Sequence, residues 1–122
     1  MAWKFRSGLA LSVQIVDRLR ADILKGVYKS GGPFPTVRQL AYDAGVNPNT
    51  MQKALTLLEG EGLVITNSTN GRSVTYDEAV LDEARDKALR SFTENIVKEA
   101  KNMSLNMNEL IKSIEKGWDT DE

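Results

Sequence analysis

Apolar residues recur every three or four positions in three successive segments, residues 10–25, 36–44 and 47–58. Because this spacing places them on one face of an α-helix, each segment is predicted to be an amphipathic helix. Ser12 is the predicted N-cap of the first helix, and Gly26 is its predicted end. The predicted core positions are Ile15, Val16, Leu19 and Ile23, then Val37, Leu40, Ala41 and Ala44, then Met51, Ala54, Leu55 and Leu58.

The second and third predicted helices are separated by a very short turn. Thr36 is a favourable N-cap, and Gln39 three residues later completes a capping box. Gly45 ends this helix, and Asn47 caps the next one with Pro48 in its first position. Two short helices joined in this way predict a helix–turn–helix. Such pairs also occur in domains that do not bind DNA, so the flanking segments matter.

The exposed face of the third predicted helix is polar and almost free of acidic residues. Glu59 and Glu61 follow only at its far end. A helix–turn–helix places such a face in the major groove of DNA. The residues predicted to lie on this face are Asn49, Gln52, Lys53 and Thr56.

The segment after this helix has the composition of two strands. Residues 63–66 and 73–76 are apolar or β-branched, and the dipeptide Asn70-Gly71 between them is typical of a hairpin turn. A helix–turn–helix followed by a hairpin is a winged helix. Asn70, Gly71 and Arg72 then lie at the wing tip, where they could contact DNA. The alternative is a solvent-exposed turn with one arginine.

Two further amphipathic helices are predicted, one capped by Asp77 and one capped by Asn106 with Glu109 in a capping box. The fold class is therefore mainly α with a small β-hairpin. Two helices of this size cannot bury their apolar faces on each other alone. A C2 homodimer is the expected solution, and a helical cap on a monomer is the alternative. The predicted interface residues are Leu81, Ala84, Ala88, Phe92, Ile96, Leu110, Ile111 and Ile114.

Charge is distributed unevenly along the 122 residues, whose formal net charge is −1. Residues 1–76 carry nine basic and five acidic side chains, whereas residues 77–122 carry seven basic and twelve acidic ones. The basic half can meet phosphates while the acidic half points away. We therefore assign residues 1–76 to DNA binding, with residues 1–9 as an N-terminal arm, and residues 77–122 to dimerisation.

Several classes of protein are disfavoured by what the chain lacks. It contains neither cysteine nor histidine, which excludes disulfides, thiol catalysis and metal sites built on these ligands. No catalytic residues, metal or cofactor are expected. No apolar run approaches the ~18 residues of a membrane helix, and the N-terminus lacks the pattern of a signal peptide. A cytoplasmic protein without a membrane partner is expected.

The N-terminal arm contains Trp3 and Phe5 in alternation, which is typical of a short extended segment. The favoured interpretation is that it packs against the domain or a partner subunit. The alternative is an arm that reaches DNA through Lys4 and Arg6.

Residues 10–76 contain the run ILKGVYKSGGPFPTVRQLAYDAGVNPNTMQKALTLLEGEGLV, followed by the wing sequence NGRSV. The order of glycines, prolines and core residues in this run resembles the GntR family of bacterial transcription regulators. The Asn-Pro-Asn-Thr turn and the short tail resemble its YtrA-like subgroup. The resemblance implies a winged helix with a small helical dimerisation domain, and a typical role as a repressor.

Position by position, the resemblance also implies roles for individual residues. Arg38 and Thr50 would contact phosphates, and Lys53 could hold another. Asn47 and Asn49 would lie at the start of the recognition helix, against the DNA backbone or base edges.

Gln52 departs from the family pattern, because many members have a base-reading arginine there. Arginine prefers guanine and glutamine pairs better with adenine, so a different half-site is expected. Gly71 matches the glycine of the wing tip. Larger relatives carry an effector-binding domain, but residues 77–122 are too few to enclose a metabolite pocket. A small-molecule effector stays unknown.

The sequence therefore predicts a sequence-specific DNA-binding transcription regulator, in the form of a dimeric repressor at a pseudo-palindromic operator of double-stranded DNA. A protein-interaction module is the alternative. An enzyme is not expected, because the carboxylates follow a surface pattern and form no acid–base site.

Overall fold

The computed structural model describes residues 2–67 and 71–120 as a mainly helical fold with one two-stranded antiparallel hairpin, which confirms the predicted fold class. Two compact units are present, Met1–Ala84 and Arg85–Glu122. The elements in chain order are α1 (Leu11–Lys25), α2 (Val37–Ala44), α3 (Pro48–Gly60), β1 (Val64–Asn67), β2 (Gly71–Val74), α4 (Glu78–Asn102) and α5 (Met107–Trp118).

The ends of α2 and α3 follow the predicted capping residues. Thr36 Oγ1 accepts a hydrogen bond of 3.1 Å from the Gln39 amide, and Asn47 Oδ1 accepts one of 2.7 Å from the Asn49 amide. Gly45 ends α2 with φ of 75°, in the left-handed region that favours glycine. Thr36 and Asn47 thus accept from amides that have no partner within the helix, whereas the Gly45 amide donates to the Ala41 carbonyl at the other end of α2.

The predicted cap of α1 is wrong. Ala10 occupies the N-cap position, and no side chain caps this end. Ser12 lies inside the helix and is buried, because the apolar spacing of α1 turns it toward the domain. The first amides of α1 therefore receive no hydrogen bond acceptor from a capping side chain.

The core of the first unit lies where α1, α2 and α3 meet the hairpin. Every predicted core position of these helices is buried except Val37, which is half-buried against the core. Leu55 is fully enclosed, so replacing it with alanine would cost about 2–5 kcal/mol. Phe34 and Leu63 also belong to this core.

The hairpin pairs Val64 with Val74 and Asn67 with Gly71. The strands are thus displaced toward the turn relative to the predicted segments 63–66 and 73–76. The loop before α2 pairs with the other edge of β2. The Gly31 amide donates to the Val74 carbonyl at 3.0 Å, and the Val74 amide donates to the Gly32 carbonyl at 2.9 Å.

The second unit contains most of α4 and all of α5. The predicted break between them is present, with Ser104 at φ of 60° and the Leu105 amide bonded to the Ala100 carbonyl. Asn106 and Glu109 form the predicted capping box of α5. None of the helices in residues 2–67 and 71–120 is both long and apolar enough to cross a membrane.

Candidate nucleic-acid interface

Helix α3 has one fully buried face and one polar exposed face. Met51, Ala54, Leu55 and Leu58 are completely enclosed, so the rotation of the helix about its axis is fixed by the core. The side chains on the opposite face are therefore held in defined positions. The exposed residues of this polar face are Asn49, Gln52, Lys53 and Thr56.

Gln52 and Thr56 are linked one turn apart on this face. The Gln52 Nε2 group donates to Thr56 Oγ1 at 3.3 Å, and Thr56 Oγ1 donates to the Gln52 carbonyl at 3.0 Å. One Nε2 hydrogen and the Oε1 acceptor of Gln52 stay available. This donor–acceptor pair matches the N7 and N6 groups of adenine in the major groove.

The remaining predicted contacts lie near the amino ends of α2 and α3. Asn47 and Arg38 are exposed, in the cap of α3 and the first turn of α2, and Thr50 is half-buried. The Asn47 oxygen is used in capping, which leaves its amide hydrogens as donors. Arg38 has no ion-pair partner among the residues that the structure describes.

The wing differs from its prediction at Arg72. This residue lies in β2 opposite Thr66, and its side chain is directed toward α3 rather than free at the tip. Its Nε atom lies 3.2 Å from Glu59 Oε2, and only 18% of the side chain is exposed. Gly71 is exposed at the start of β2. Asn70, the third predicted wing residue, lies outside the described residues.

Both acidic residues at the far end of α3 are neutralised by arginines. Glu61 receives two hydrogen bonds from Arg20, of 2.9 and 2.6 Å, and Arg20 also bonds Asp17 at 3.0 Å. The hydrogen bond with Glu61 is the main cause that raises the pKa of the Arg20 guanidinium, while burial opposes it. With Glu59 paired to Arg72, each of the two glutamates has an arginine partner, although Arg20 is shared with Asp17.

The N-terminal arm packs against the first unit, as predicted. Trp3 and Phe5 contact the core, and the Trp3 amide donates to the Ala44 carbonyl at 3.1 Å. The Arg18 guanidinium lies 4.3 Å from the centre of the Trp3 ring, an arrangement typical of a cation–π contact. No local sequence pattern indicates this pairing, because its two residues belong to different elements.

The predicted dimer residues fall into two groups. Leu81 is 5% exposed within the core of the first unit and Ala84 is half-buried against it, so Leu81 is unavailable to a partner subunit. The reason is that the first turn of α4 closes the core beside the hairpin. The other predicted residues, all at least partly exposed in the second unit, are Ala88, Phe92, Ile96, Leu110, Ile111 and Ile114.

Comparison with known proteins places these features in one family. Residues 11–74 match the family model described as bacterial regulatory proteins, gntR family. The HTH-type transcriptional regulator YhcF of Bacillus subtilis is 30% identical over 91% of this chain and 92% of its own length. The HTH-type transcriptional repressor YtrA of the same species is 41% identical over 50% of this chain and 47% of its own length.

The fold is shared with a solved structure over nearly the whole chain. A GntR family transcriptional regulator from Listeria monocytogenes has a TM-score of 0.86 and 28% identity. The match covers 92% of this chain and 98% of that one. The similarity therefore includes the helices after the hairpin as well as the winged helix.

Proposed function

Since the chain belongs to the GntR family of bacterial regulatory proteins, we propose that it represses transcription as a homodimer on a pseudo-palindromic DNA operator. Family membership makes it a transcription regulator with a helix–turn–helix DNA-binding domain. The proposal adds the repressing role, the dimer and the residues that carry recognition. It also places the protein in the cytoplasm, where bacterial DNA is found.

The observation that carries the proposal is the polar face of α3. Its four exposed side chains project from a helix whose opposite face is completely enclosed. A fixed helix with hydrogen-bonding side chains and one cation suits base reading in the major groove. Glu59 and Glu61, at the far end of this helix, are paired with arginines and oppose DNA less strongly.

Individual roles follow from position and chemistry. Gln52 is proposed to read adenine, with Thr56 orienting its amide, and Asn49 is proposed to contact a neighbouring base edge. Arg38 and Lys53 are proposed to hold phosphates, since both are exposed cations of the helix–turn–helix. Gly71 and Asn70 are proposed to bring the wing close to the duplex.

Dimerisation is supported by the exposed apolar side chains of the second unit. Phe92 is 64% exposed, and Ile111 and Ile114 are each 42% exposed. A second copy of the chain would cover these side chains and place two α3 helices on two half-sites. Residues 77–122 would then serve dimerisation while residues 1–76 bind DNA.

Repression is supported by the name of the relative YtrA, a transcriptional repressor. Occupancy of an operator can block polymerase without a catalytic group, so no enzymatic activity is needed.

Selection of bound duplexes from a random DNA pool tests this function and reads the half-site in the same experiment. We expect two similar half-sites related by dyad symmetry. Gln52→Ala should relax the preference at one position of each half-site, with a loss of roughly 1–3 kcal/mol. Val27→Ala, a change at an exposed site outside this surface, is the matched control. A chain that enriches no sequence, and whose binding to duplex DNA is insensitive to salt, would instead be a protein-interaction module.

A further inference from the structure

An open groove of about 460 Å³ lies between the amino ends of α1 and α3. It is lined from α1 by Ala10, Leu11 and Ser12, and from α3 by Asn49, Thr50 and Lys53. The three residues from α3 already belong to the proposed DNA-binding surface. The three residues from α1 have no role in it so far.

The amino end of α1 offers hydrogen-bond donors to this groove. The first intrahelical bond runs from the Gln14 amide to the Ala10 carbonyl, so the amides of Leu11, Ser12 and Val13 have no acceptor within the helix. Ala10 supplies no cap. The Gln14 side chain cannot serve instead, because it bonds to the backbone of Arg6.

Ser12 is an independent indication that the groove accepts a ligand. The residue is 6% exposed, yet its hydroxyl has no hydrogen-bond partner among the residues that the structure describes. Within the described residues, no completely buried side-chain oxygen lacks a hydrogen-bond partner. Since the Ser12 hydroxyl has no such partner, it must be partly accessible to solvent. Since Ser12 lines the groove, a ligand bound there is the expected partner of this hydroxyl.

The charge around the groove favours an anion. Lys53 is an exposed cation with no ion-pair partner within the described residues. Neither α1 nor α3 has an acidic residue in its first turn, and both helices direct their positive ends to this place. Amide donors, a hydroxyl and an ammonium group together match the oxygens of a phosphate.

We propose that this groove binds one phosphodiester group of the operator, so that α1 acts as an additional clamp on the DNA backbone. The inference rests on the proposed function, because a strand whose bases meet Gln52 passes its backbone beside Asn49, Thr50 and Lys53. The phosphate oxygens accept from the α1 amides and from Ser12 Oγ, and Lys53 neutralises their charge.

Ala10→Asp is the most discriminating variant. An aspartate at the N-cap accepts from the free amides of α1 and carries the charge that repels phosphate. It should therefore raise the melting temperature and weaken binding to the selected duplex by about 10- to 100-fold. If this end of α1 had only a structural role, a variant with a higher melting temperature would not bind DNA more weakly. Val27→Asp adds the same charge beyond the other end of α1 and should change affinity by less than about twofold.

Two milder variants isolate the donors. Leu11→Pro removes one amide hydrogen at the first helical position, where proline is compatible with the helix and with the extended Ala10 at φ −59° and ψ 137°. Ser12→Ala removes the hydroxyl. Each should weaken duplex binding by roughly three- to tenfold without loss of helical circular dichroism.

Duplexes with a single uncharged methylphosphonate identify the phosphate. One methylphosphonate position should weaken binding by the wild type most strongly. The same duplex should weaken binding by Ala10→Asp very little, because this variant no longer contacts that phosphate. The inference is overturned if Ala10→Asp binds the selected duplex as tightly as the wild type, or if every methylphosphonate affects both proteins equally.

Titration with inorganic phosphate, followed by the amide resonances of residues 11–13, distinguishes a free anion from a DNA phosphate. Shifts in these resonances together with unaltered duplex binding by Ala10→Asp would make the groove a site for a free anion and would overturn the proposal. If the wild type prefers no duplex at all, the proposed function fails together with the clamp. If the wild type prefers a duplex but the variants bind that duplex as tightly as the wild type does, only the clamp is overturned.

Discussion

The Arg72 guanidinium on β2 is held 3.2 Å from the Glu59 carboxylate on α3, which ties the wing to the recognition helix. Both side chains are largely shielded, with 18% and 25% of their surfaces exposed. The pair therefore links β2 to the end of α3, two elements that are proposed to meet DNA. Since its guanidinium is paired with Glu59, we expect Arg72 to position the wing rather than to bind a phosphate.

Breaking this pair should affect stability more than it affects the salt dependence of DNA binding. Arg72→Met should lower the free energy of unfolding by about 1 kcal/mol, since partly shielded ion pairs contribute on that scale. Urea denaturation of Arg72→Met, Glu59→Gln and the double variant gives the coupling energy. The salt slope of DNA affinity should stay close to that of the wild type for Arg72→Met. A slope reduced by about one would mean that Arg72 contacts a phosphate directly.

Gly45 is the residue at which the arm and the helix–turn–helix come closest. A Cβ atom added there would lie 2.7 Å from the Ala2 Cβ, and the backbone φ is 75°. Gly45→Ala should therefore cost the left-handed strain of about 1–2 kcal/mol and a steric penalty in addition.

Gly26→Ala is the control for that prediction, because Gly26 has φ of 85° and open space around it. It should show the strain alone. Ala2→Gly in the Gly45→Ala background should restore part of the lost stability in thermal denaturation. Equal melting temperatures for Gly45→Ala and Gly26→Ala would contradict the close approach of the arm.

Tyr28 should make the stability depend on pH in the alkaline range. Burial is the main cause that raises the pKa of this phenol above its usual value of about 10, and the charge of Asp22 adds to it. Its stabilising contribution is complete below the unfolded pKa and is lost as the pH rises through the folded pKa. When the pH is raised from 8 to 11, the unfolding midpoint should fall less for Tyr28→Phe than for the wild type. Tyr42→Phe, at a side chain that is 81% exposed, should behave as the wild type does.

The dimer is tested most simply at Phe92. Phe92→Asp places a charge at an exposed apolar position that a partner subunit is expected to cover, so this variant should sediment as a monomer at micromolar concentration. Thr93→Asp adds the same charge at the next position of α4 and should stay dimeric. A dimeric Phe92→Asp would remove this part of the proposed interface.

The parts of the fold that depend on local spacing could be predicted from the sequence. Thr36, Gly45 and Asn47 cap their helices by contacts with residues two to four positions away, and the buried face of α3 follows from helical periodicity. The cap of α1 was predicted at the wrong residue because Ser12 has a suitable side chain but a buried place in the helix.

Contacts between distant elements could not be predicted in this way. The pairing of Arg72 with Glu59 joins a strand to a helix, and that of Arg18 with Trp3 joins a helix to the arm. No local pattern specifies which arginine finds which partner. Likewise, the apolar spacing of α4 does not indicate that Leu81 belongs to the core of the first unit.

The base preference of Gln52→Arg tests most directly whether the polar face of α3 reads DNA. Pool selection should be repeated with this variant beside the wild type, and the two enriched half-sites should be compared position by position. We predict a change from adenine to guanine at one position of each half-site, since arginine pairs with the O6 and N7 atoms of guanine. An unchanged half-site for a folded variant that still binds DNA would contradict the account.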